Sequence, residues 1–258
     1  MTSNGIYYRI HGESGPWLLM ISGLGGHASF WSEQVAEFSS RFRVVVYDHR
    51  GCGQSDKVSG KNGIEEMARD AMLVLNELQA SDVRLVGHSM GGMIAQSLIV
   101  DHPERFSSVI LSGTFSHFDR YMEYVSNLRE AVLTKAGVEA YSQLSALLGA
   151  PAIRSAVSGE ELNRSAERSV LASPDIPTAV ARMRAPFGFD RRADLARSRV
   201  PAMIVGAADD MLAPFYHSEE LAAVVPGAIL RRLDGGHFFP RTRTEVYNSE
   251  LRKFMEAA

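Results

Sequence analysis

Short apolar segments alternate with segments of helical periodicity along most of the 258-residue chain. Runs of consecutive apolar residues, such as 44–46 and 202–205, are typical of strands buried on both faces. Between residues 64 and 78, apolar side chains recur every three or four positions, which is the spacing of an amphipathic helix. This alternation predicts an α/β fold in which helices cover both faces of a mainly parallel sheet.

The same pattern places the individual elements. We expect strands at residues 6–10, 17–21, 43–47, 83–86, 108–111, 200–205 and 229–233. We expect helices at residues 28–38, 64–78, 93–100, 218–224 and 245–255. Because residues 11–16 are rich in Gly, Ser and Pro, the first two strands are predicted to form a hairpin.

The segment from residue 114 to 199 departs from the alternation. It has no convincing strand, and helical spacing recurs at 120–135, 138–148 and 160–171. Gly and Pro residues near 149–151 and 173–174 mark breaks between these helices. We therefore expect a core domain of residues 1–113 and 200–258, and a helical cap of residues 114–199 lying over the sheet.

Composition and charge narrow the functional classes. A net charge of −3 and a pI near 6.2 give no electrostatic basis for binding nucleic acid or an anionic membrane. The single cysteine, Cys52, excludes an intramolecular disulfide and a cysteine-cluster zinc site. The N-terminal residues show no signal-peptide pattern, and no apolar run reaches the roughly 18 residues of a membrane span. We expect a cytoplasmic protein with a small-molecule substrate, and the pattern leaves open whether it forms a homodimer.

The chemistry is expected at the Gly-His-Ser-Met-Gly segment, residues 87–91. An apolar run precedes this segment and a helical pattern follows it, so Ser89 is predicted to lie on a sharp strand-to-helix turn. Such a turn strains the serine backbone and lifts the hydroxyl above the sheet edge. Gly87 and Gly91 let strand and helix approach closely. The amide of Met90 then points from a helix N-terminus towards the place where a negatively charged oxygen forms.

Partners for this serine are found at two later strand ends. A serine hydroxyl becomes an effective nucleophile when a neighbouring base takes its proton. His237 lies in a glycine loop after the strand at 229–233, and Asp209 and Asp210 follow the strand at 200–205. Functional groups in open α/β sheets collect beyond the carboxyl ends of the strands. The sequence therefore predicts a nucleophile, a base and an orienting carboxylate, with the choice of aspartate open.

Over essentially its full length, the chain resembles the α/β-hydrolase-fold superfamily. The resemblance rests on residues 48–55, 87–92, 201–214 and 235–237, and on the chain order Ser, Asp, His. Residues 21–26 and 127–131 are similar to 3-oxoadipate enol-lactonases and to aminoacrylate or carbamate hydrolases of pyrimidine breakdown. The resemblance implies an α/β-hydrolase fold with the helical cap inserted after the sixth strand.

The resemblance also implies roles for the triad residues. It makes Ser89 the nucleophile, and His237 the base and then the acid. Family members usually place the orienting acid four residues before one proline and nine after another, and Pro214 and Pro201 of this chain then indicate Asp210. Counting from a family glycine, matched here by Gly206, indicates Asp209 instead, which stays as the alternative.

By the same resemblance, the backbone amides of Leu24 and Met90 form the oxyanion hole. Ser22 and Gly23 stand where many relatives have His-Gly. The backbone donor survives that change, because an amide is present whatever the side chain. Serine is shorter than histidine and makes different hydrogen bonds, so the resemblance does not indicate which contacts hold the loop around Leu24 in place.

Residues near the serine and at the start of the cap are candidates to contact the substrate: Gly23, His88, Phe115, Phe118, Arg120 and Tyr121. Candidates to hold a substrate carboxylate are Arg120, Arg129, Arg182 and Arg184, although a solvated surface is the more common place for any one arginine. Local roles are expected for Asp48, Arg50 and Asp56, which would stabilise the turn after the third strand, and for His88. His27 and His49 lie on loops that could border the pocket, although most loop histidines are solvated. Four further histidines are too scattered to predict a metal site: His11, His102, His117 and His217.

These observations predict a serine hydrolase of carboxylesterase or lactonase type that works without a cofactor or metal. It would cleave a small ester, lactone or amide-like substrate through an acyl-enzyme. Hydrolysis of a carbon–carbon bond in a ring-cleavage product and haloperoxidation or perhydrolysis stay open, because the same triad supports them. Non-catalytic ligand binding on the same fold is the alternative from another class.

Overall fold

The computed structural model describes residues 2–57, 62–150 and 175–257. Within them, one sheet contains the strands β1 (Thr2–Ser3), β2 (Ile6–His11), β3 (Trp17–Ile21), β4 (Arg43–Tyr47), β5 (Val83–His88), β6 (Phe106–Ser112), β7 (Ala202–Ala207) and β8 (Ile229–Leu233). Their spatial order is β1-β2-β4-β3-β5-β6-β7-β8. The pairs from β4 to β8 are parallel, whereas β2 is antiparallel to both β1 and β4. The predicted mainly parallel α/β sheet is confirmed.

The predicted hairpin between the first two strands is wrong. β2 and β3 are not paired, because β4 lies between them, antiparallel to β2 and parallel to β3. The side chains of Val44, Val45 and Val46 are at most 2% exposed, so this strand needs cover on both faces and fits an interior place in the sheet. Local turn chemistry at residues 11–16 does not decide which strands pair, and the two-residue strand β1 was not predicted.

The helices are α1 (Ser32–Phe38), α2 (Ile64–Glu77), α3 (Met90–Asp101), α4 (Arg120–Gly149), α5 (Ile176–Arg184), α6 (Arg192–Leu195), α7 (Phe215–Val224), α8 (Phe239–Thr242) and α9 (Thr244–Ala257). A 3₁₀ turn at Ala28–Trp31 leads into α1, where one continuous helix had been predicted. α3 begins directly after Ser89, three residues earlier than its apolar pattern suggests.

Alternating side chains of the central strands supply two separate cores, one on each face of the sheet. Leu19 and Ile21 pack in a cluster with residues of α2, α3 and α7. Leu18 and Met20 pack in the opposite cluster with residues of α1 and α9. This division follows from the two-residue period of a strand, which turns successive side chains to opposite faces.

The helices α4, α5 and α6 lie between β6 and β7, in the segment that the sequence predicts to be a cap, and this insertion is called the cap below. α4 is interrupted at Gly137, whose φ of 89° and ψ of 178° break the helix close to the expected boundary between 135 and 138. α5 and α6 were not predicted, and the helix expected at 160–171 lies outside the described residues. A β-bridge between His117 and Asp190 joins the two ends of this insertion. No helix in the described ranges is long and apolar enough to cross a membrane.

Candidate active site

Ser89 occupies the strained turn that the sequence predicted. Its backbone has φ 56° and ψ −124°, and it directly precedes the first residue of α3. A positive φ at a non-glycine residue costs about 1–3 kcal/mol, which the surrounding structure must offset. The amide of Ser89 donates to the Ser112 carbonyl at 2.9 Å, fixing the turn to the adjacent strand. The serine is consequently held half-buried at the carboxyl end of β5.

Glycine is required on both sides of this turn. A Cβ at Gly87 would lie 2.3 Å from the Gly91 carbonyl oxygen, and a Cβ at Gly91 would lie 2.2 Å from the Ile21 carbonyl oxygen. These distances are far shorter than a van der Waals contact, and the atoms that each Cβ would meet belong to the backbone and not to a flexible side chain. The glycines therefore allow strand β5, helix α3 and strand β3 to meet at the serine.

The structure brings Ser89, His237 and Asp210 into one line of hydrogen bonds. The Nε2 atom of His237 is 2.9 Å from the Ser89 Oγ atom, and its Nδ1 atom is 2.8 Å from the Asp210 Oδ2 atom. His237 and Asp210 are 4% and 5% exposed. If Asp210 accepts the Nδ1 proton, the Nε2 atom carries the lone pair that faces the serine hydroxyl.

The two neighbouring aspartates have different partners. The Oδ1 atom of Asp210 accepts hydrogen bonds from the amides of Leu212 and Ala213, both at 2.8 Å, which leaves Oδ2 for His237. Asp209 turns away and accepts from the amides of Gly235 and Gly236, both at 2.9 Å. Asp210 thus orients the histidine ring, whereas Asp209 holds the loop that carries it.

A glycine-rich turn lies against the serine where the resemblance placed the oxyanion hole. A Cβ on Gly23 would come within 3.4 Å of the Ser89 Oγ atom, so this backbone closely approaches the hydroxyl. The amide of Gly26 donates to the Gly23 carbonyl at 3.0 Å and closes the turn around Leu24. Met90 is the first residue of α3, where backbone amides have no carbonyl partner within the helix.

Several predicted substrate contacts are used in packing. His88 is 1% exposed, stacks on Phe30 and has its Nδ1 atom 3.2 Å from the Ser112 Oγ atom. Burial lowers the pKa of His88 well below its usual value, so the ring is neutral at pH 7. Phe115 is 4% exposed and belongs to the core. His88 and Phe115 thus pack beneath the site, and contact of either residue with substrate stays a prediction.

The remaining candidates lie at the start of the cap. Phe118 is half-buried, with its ring 4.7 Å from that of Phe187, and Arg120 is exposed. The Tyr121 hydroxyl donates to the Met211 carbonyl at 2.8 Å, one residue beyond Asp210. Tyr121 thus attaches the cap to the loop of the orienting acid instead of facing open solvent with its hydroxyl.

Arg182 lies in a position that the sequence did not reveal. Among the four arginines that could hold a substrate carboxylate, Arg182 has a fully buried side chain that bonds to the Leu24 carbonyl. The other three differ: Arg120 is exposed, Arg184 forms an ion pair with Glu130, and Arg129 bonds to Tyr141. No periodicity or motif separates Arg182 from them, because its partner is 158 residues away in the chain.

The turn after β4 has the expected structural role. Asp48 accepts hydrogen bonds from the amides of Ala28 and Gln54, at 2.8 and 2.9 Å. Arg50 pairs with Asp70 of α2. His117 and His217, which looked unrelated in the sequence, come within 6.1 Å between ring centres. Even so, no cluster of three or more potential metal ligands occurs in the part of the chain that the structure describes.

A doubly covered α/β sheet with a serine turn facing histidine and aspartate defines a hydrolase-type site. A family model for the alpha/beta hydrolase fold matches residues 16–242. A protein of Azorhizobium caulinodans that carries the name carbamate hydrolase RutD is 34% identical over 96% of this chain and 94% of its own. The chain belongs to the α/β-hydrolase fold family and is an enzyme of the hydrolase type.

Solved structures agree with this assignment. The enol-lactonase from Burkholderia xenovorans LB400 superposes with a TM-score of 0.89 at 26% identity, covering 98% of both chains. Est816, described as an N-acyl homoserine lactone degrading enzyme, superposes with a TM-score of 0.83 at 28% identity, covering 96% of both chains.

Proposed function

We propose that this chain is a serine hydrolase that cleaves a small ester, lactone or amide-like carbonyl compound through a covalent acyl-enzyme. The observation that carries the proposal is the continuous hydrogen-bonded line from Ser89 through His237 to Asp210, with distances of 2.9 and 2.8 Å. A protein that only binds a ligand needs a pocket but no such line, which argues against the non-catalytic alternative.

In the first half-reaction, the Ser89 Oγ atom attacks the substrate carbonyl carbon while the His237 Nε2 atom takes the hydroxyl proton. The negative charge that develops on the carbonyl oxygen is stabilised by the amides of Leu24 and Met90. His237 then gives its proton to the leaving group, the bond from the carbonyl carbon breaks, and an ester to Ser89 remains.

In the second half-reaction, His237 takes a proton from water, and the resulting hydroxide attacks the ester carbonyl. The same two amides stabilise the second oxyanion. Collapse breaks the bond to Ser89 Oγ, His237 returns its proton to the serine, and the acid is released. Asp210 keeps the Nδ1 proton throughout and stabilises the imidazolium ion.

Similarity to relatives supports the substrate class. The relatives above are named for carbamate hydrolysis, enol-lactone hydrolysis and degradation of an N-acyl homoserine lactone. All of these names describe attack on an ester-like or amide-like carbonyl of a small molecule. A panel of p-nitrophenyl esters, simple lactones and carbamates therefore tests the proposal first, and a vinylogous diketone in the same panel tests carbon–carbon hydrolysis.

The deciding experiment compares Ser89→Ala with a control serine. Ser89→Ala should fold normally, lose turnover of every substrate in the panel and escape labelling by a fluorophosphonate. Ser97→Ala is the matched control, because Ser97 is fully buried in α3 and its hydroxyl has no partner within the described chain. Full activity of Ser89→Ala, or absence of labelling of the native enzyme, would contradict the proposal.

A further inference from the structure

Three contacts attach the cap to the three loops that carry the proposed active site. Tyr121 bonds to the Met211 carbonyl beside Asp210, and the amide of Phe238, next to His237, donates to the Gly149 carbonyl at 3.2 Å. The third contact joins Arg182 of α5 to Leu24. The last of these differs from the others because it is made by a buried charge.

Arg182 makes a dense set of bonds to the turn that contains Leu24. Its Nε and Nη2 atoms both donate to the Leu24 carbonyl oxygen, at 2.9 and 2.8 Å. The Nη2 atom is also 3.0 Å from the His49 Nδ1 atom. Burial, with the positive charge of Arg182 next, lowers the pKa of His49 well below its usual value, so this ring is neutral and its Nδ1 atom accepts the bond.

The Leu24 turn has few other restraints. It contains three glycines, whose backbone freedom makes an ordered conformation costly. A Cβ added at Gly25 would have no atom within 4 Å, so side-chain packing does not hold the turn there. Ser22 stands where many α/β hydrolases have a histidine. Its Oγ atom is buried and has no hydrogen-bond partner within the described chain. The Leu24 side chain packs against the core and the cap, but the direction of the peptide groups in the turn is set by hydrogen bonds to its backbone.

The two peptide planes around Leu24 are fixed from different sides. The plane between Gly23 and Leu24 carries the proposed oxyanion donor, and the Gly26 amide holds its carbonyl at 3.0 Å. The plane between Leu24 and Gly25 is held by the two bonds from Arg182. Together they restrict the backbone dihedral angles on both sides of the Leu24 α-carbon, and with them the direction of the Leu24 amide.

The surroundings of Arg182 do not suggest a simple structural ion pair. Within the described chain, no carboxylate lies within ion-pair distance of Arg182, and its Nη1 atom is buried without a hydrogen-bond partner. A buried guanidinium without a carboxylate is costly, and burial lowers the pKa of Arg182. The bonds to the Leu24 carbonyl and the His49 ring offset part of this cost. Buried groups with a shifted pKa are enriched at functional sites.

We propose that Arg182 is a positioning residue of the cap that orients the Leu24 amide for oxyanion stabilisation. The inference rests on the proposed serine hydrolase function. Under this assignment the oxyanion hole is complete only when α5 packs against the turn that contains Leu24. The cap therefore contributes to the rate of the chemical step as well as to substrate choice.

The test uses Arg182→Met and Arg182→Lys in the full-length chain with neutral p-nitrophenyl esters. Misplacing one oxyanion donor should lower kcat by about 10- to 100-fold in Arg182→Met, with KM changed by less than about 3-fold. Arg182→Lys keeps one donor for the carbonyl and should fall between Arg182→Met and the native enzyme; it also carries the test if Arg182→Met does not fold. The matched control is Arg184→Met, because Arg184 is on the same helix but pairs with Glu130 at the surface.

A second readout separates positioning from general damage to the cap. The inhibition constant of a trifluoromethyl ketone, whose adduct with serine carries the oxyanion, should rise by the same factor as kcat falls. Unchanged kcat, an equal loss in Arg184→Met, or a loss confined to KM for substrates that carry a carboxylate would overturn the assignment. Failure of the proposed function is distinguishable, because it would appear as absence of turnover in the native enzyme.

Discussion

Replacing each of the two adjacent aspartates by asparagine tests the proposed mechanism most sharply. The substitutions are Asp210→Asn and Asp209→Asn, which remove the same charge one residue apart. In Asp210→Asn the side chain has three neighbours to satisfy: the amides of Leu212 and Ala213, and the His237 Nδ1 atom. Both amides can only donate, so the asparagine must turn its carbonyl oxygen towards them.

The asparagine NH₂ group then faces the histidine. It donates to the His237 Nδ1 atom and so selects the tautomer whose proton sits on Nε2. That proton points at the Ser89 hydroxyl, and the histidine no longer accepts from it. In serine proteases the equivalent exchange lowers kcat about 10⁴-fold, so we expect a loss of about 10³- to 10⁴-fold, or about 4–5.5 kcal/mol in the barrier.

Asp209→Asn is the matched control. Its carboxylate accepts from the amides of Gly235 and Gly236, with Oδ1 at 2.9 Å from each, and an asparagine carbonyl oxygen can accept both bonds. We expect kcat to stay within about 10-fold of the native value, because a neutral acceptor weakens these bonds without removing them.

Steady-state hydrolysis of a p-nitrophenyl ester gives kcat for both variants, and circular dichroism shows whether each is folded. The reasoning is refuted if Asp209→Asn loses as much activity as Asp210→Asn. It is equally refuted if a folded Asp210→Asn keeps more than about a tenth of the native kcat.

Two further predictions concern stability. Gly91→Ala places a Cβ 2.2 Å from the Ile21 carbonyl oxygen, and we expect the free energy of unfolding, measured with heat or urea, to fall by at least about 1–3 kcal/mol. The control is Gly25→Ala, whose Cβ has no atom within 4 Å and which should unfold like the native protein. Equal stability of the two variants would contradict the packing argument. Acid should destabilise the fold already below pH 6.5, because burial lowers the pKa of four histidines in the folded state: the partly exposed His11 and the buried His49, His88 and His217. Below about pH 6.5 the unfolded chain binds protons at these rings while the folded chain does not. The free energy of unfolding in urea should therefore fall by up to about 1.4 kcal/mol per pH unit for each ring. Equal stability at pH 7.5 and pH 5.5 would refute this prediction.

Much of the fold was predictable because its signals are local. The apolar runs that became β4 and β7, and the helical spacing that became α2, depend on residues a few positions apart. The serine turn was equally local, since strand, Gly87, Gly91 and helix are contiguous in the chain. The order of the strands was not local, and the predicted hairpin failed because β4, residues 43–47, inserts between β2 and β3.

The candidate site shows the same division. The sequence by itself determined which chemical groups are present, a serine on a strained turn and a histidine and aspartates at strand ends, because residue type and local pattern carry that information. Only the tertiary structure decided that Asp210 faces the histidine while Asp209 holds its loop, and that Arg182 reaches Leu24 across 158 residues. Hydrogen bonds form between atoms brought together by packing of the whole chain, and their partners are therefore set by the fold and not by neighbourhood in the sequence.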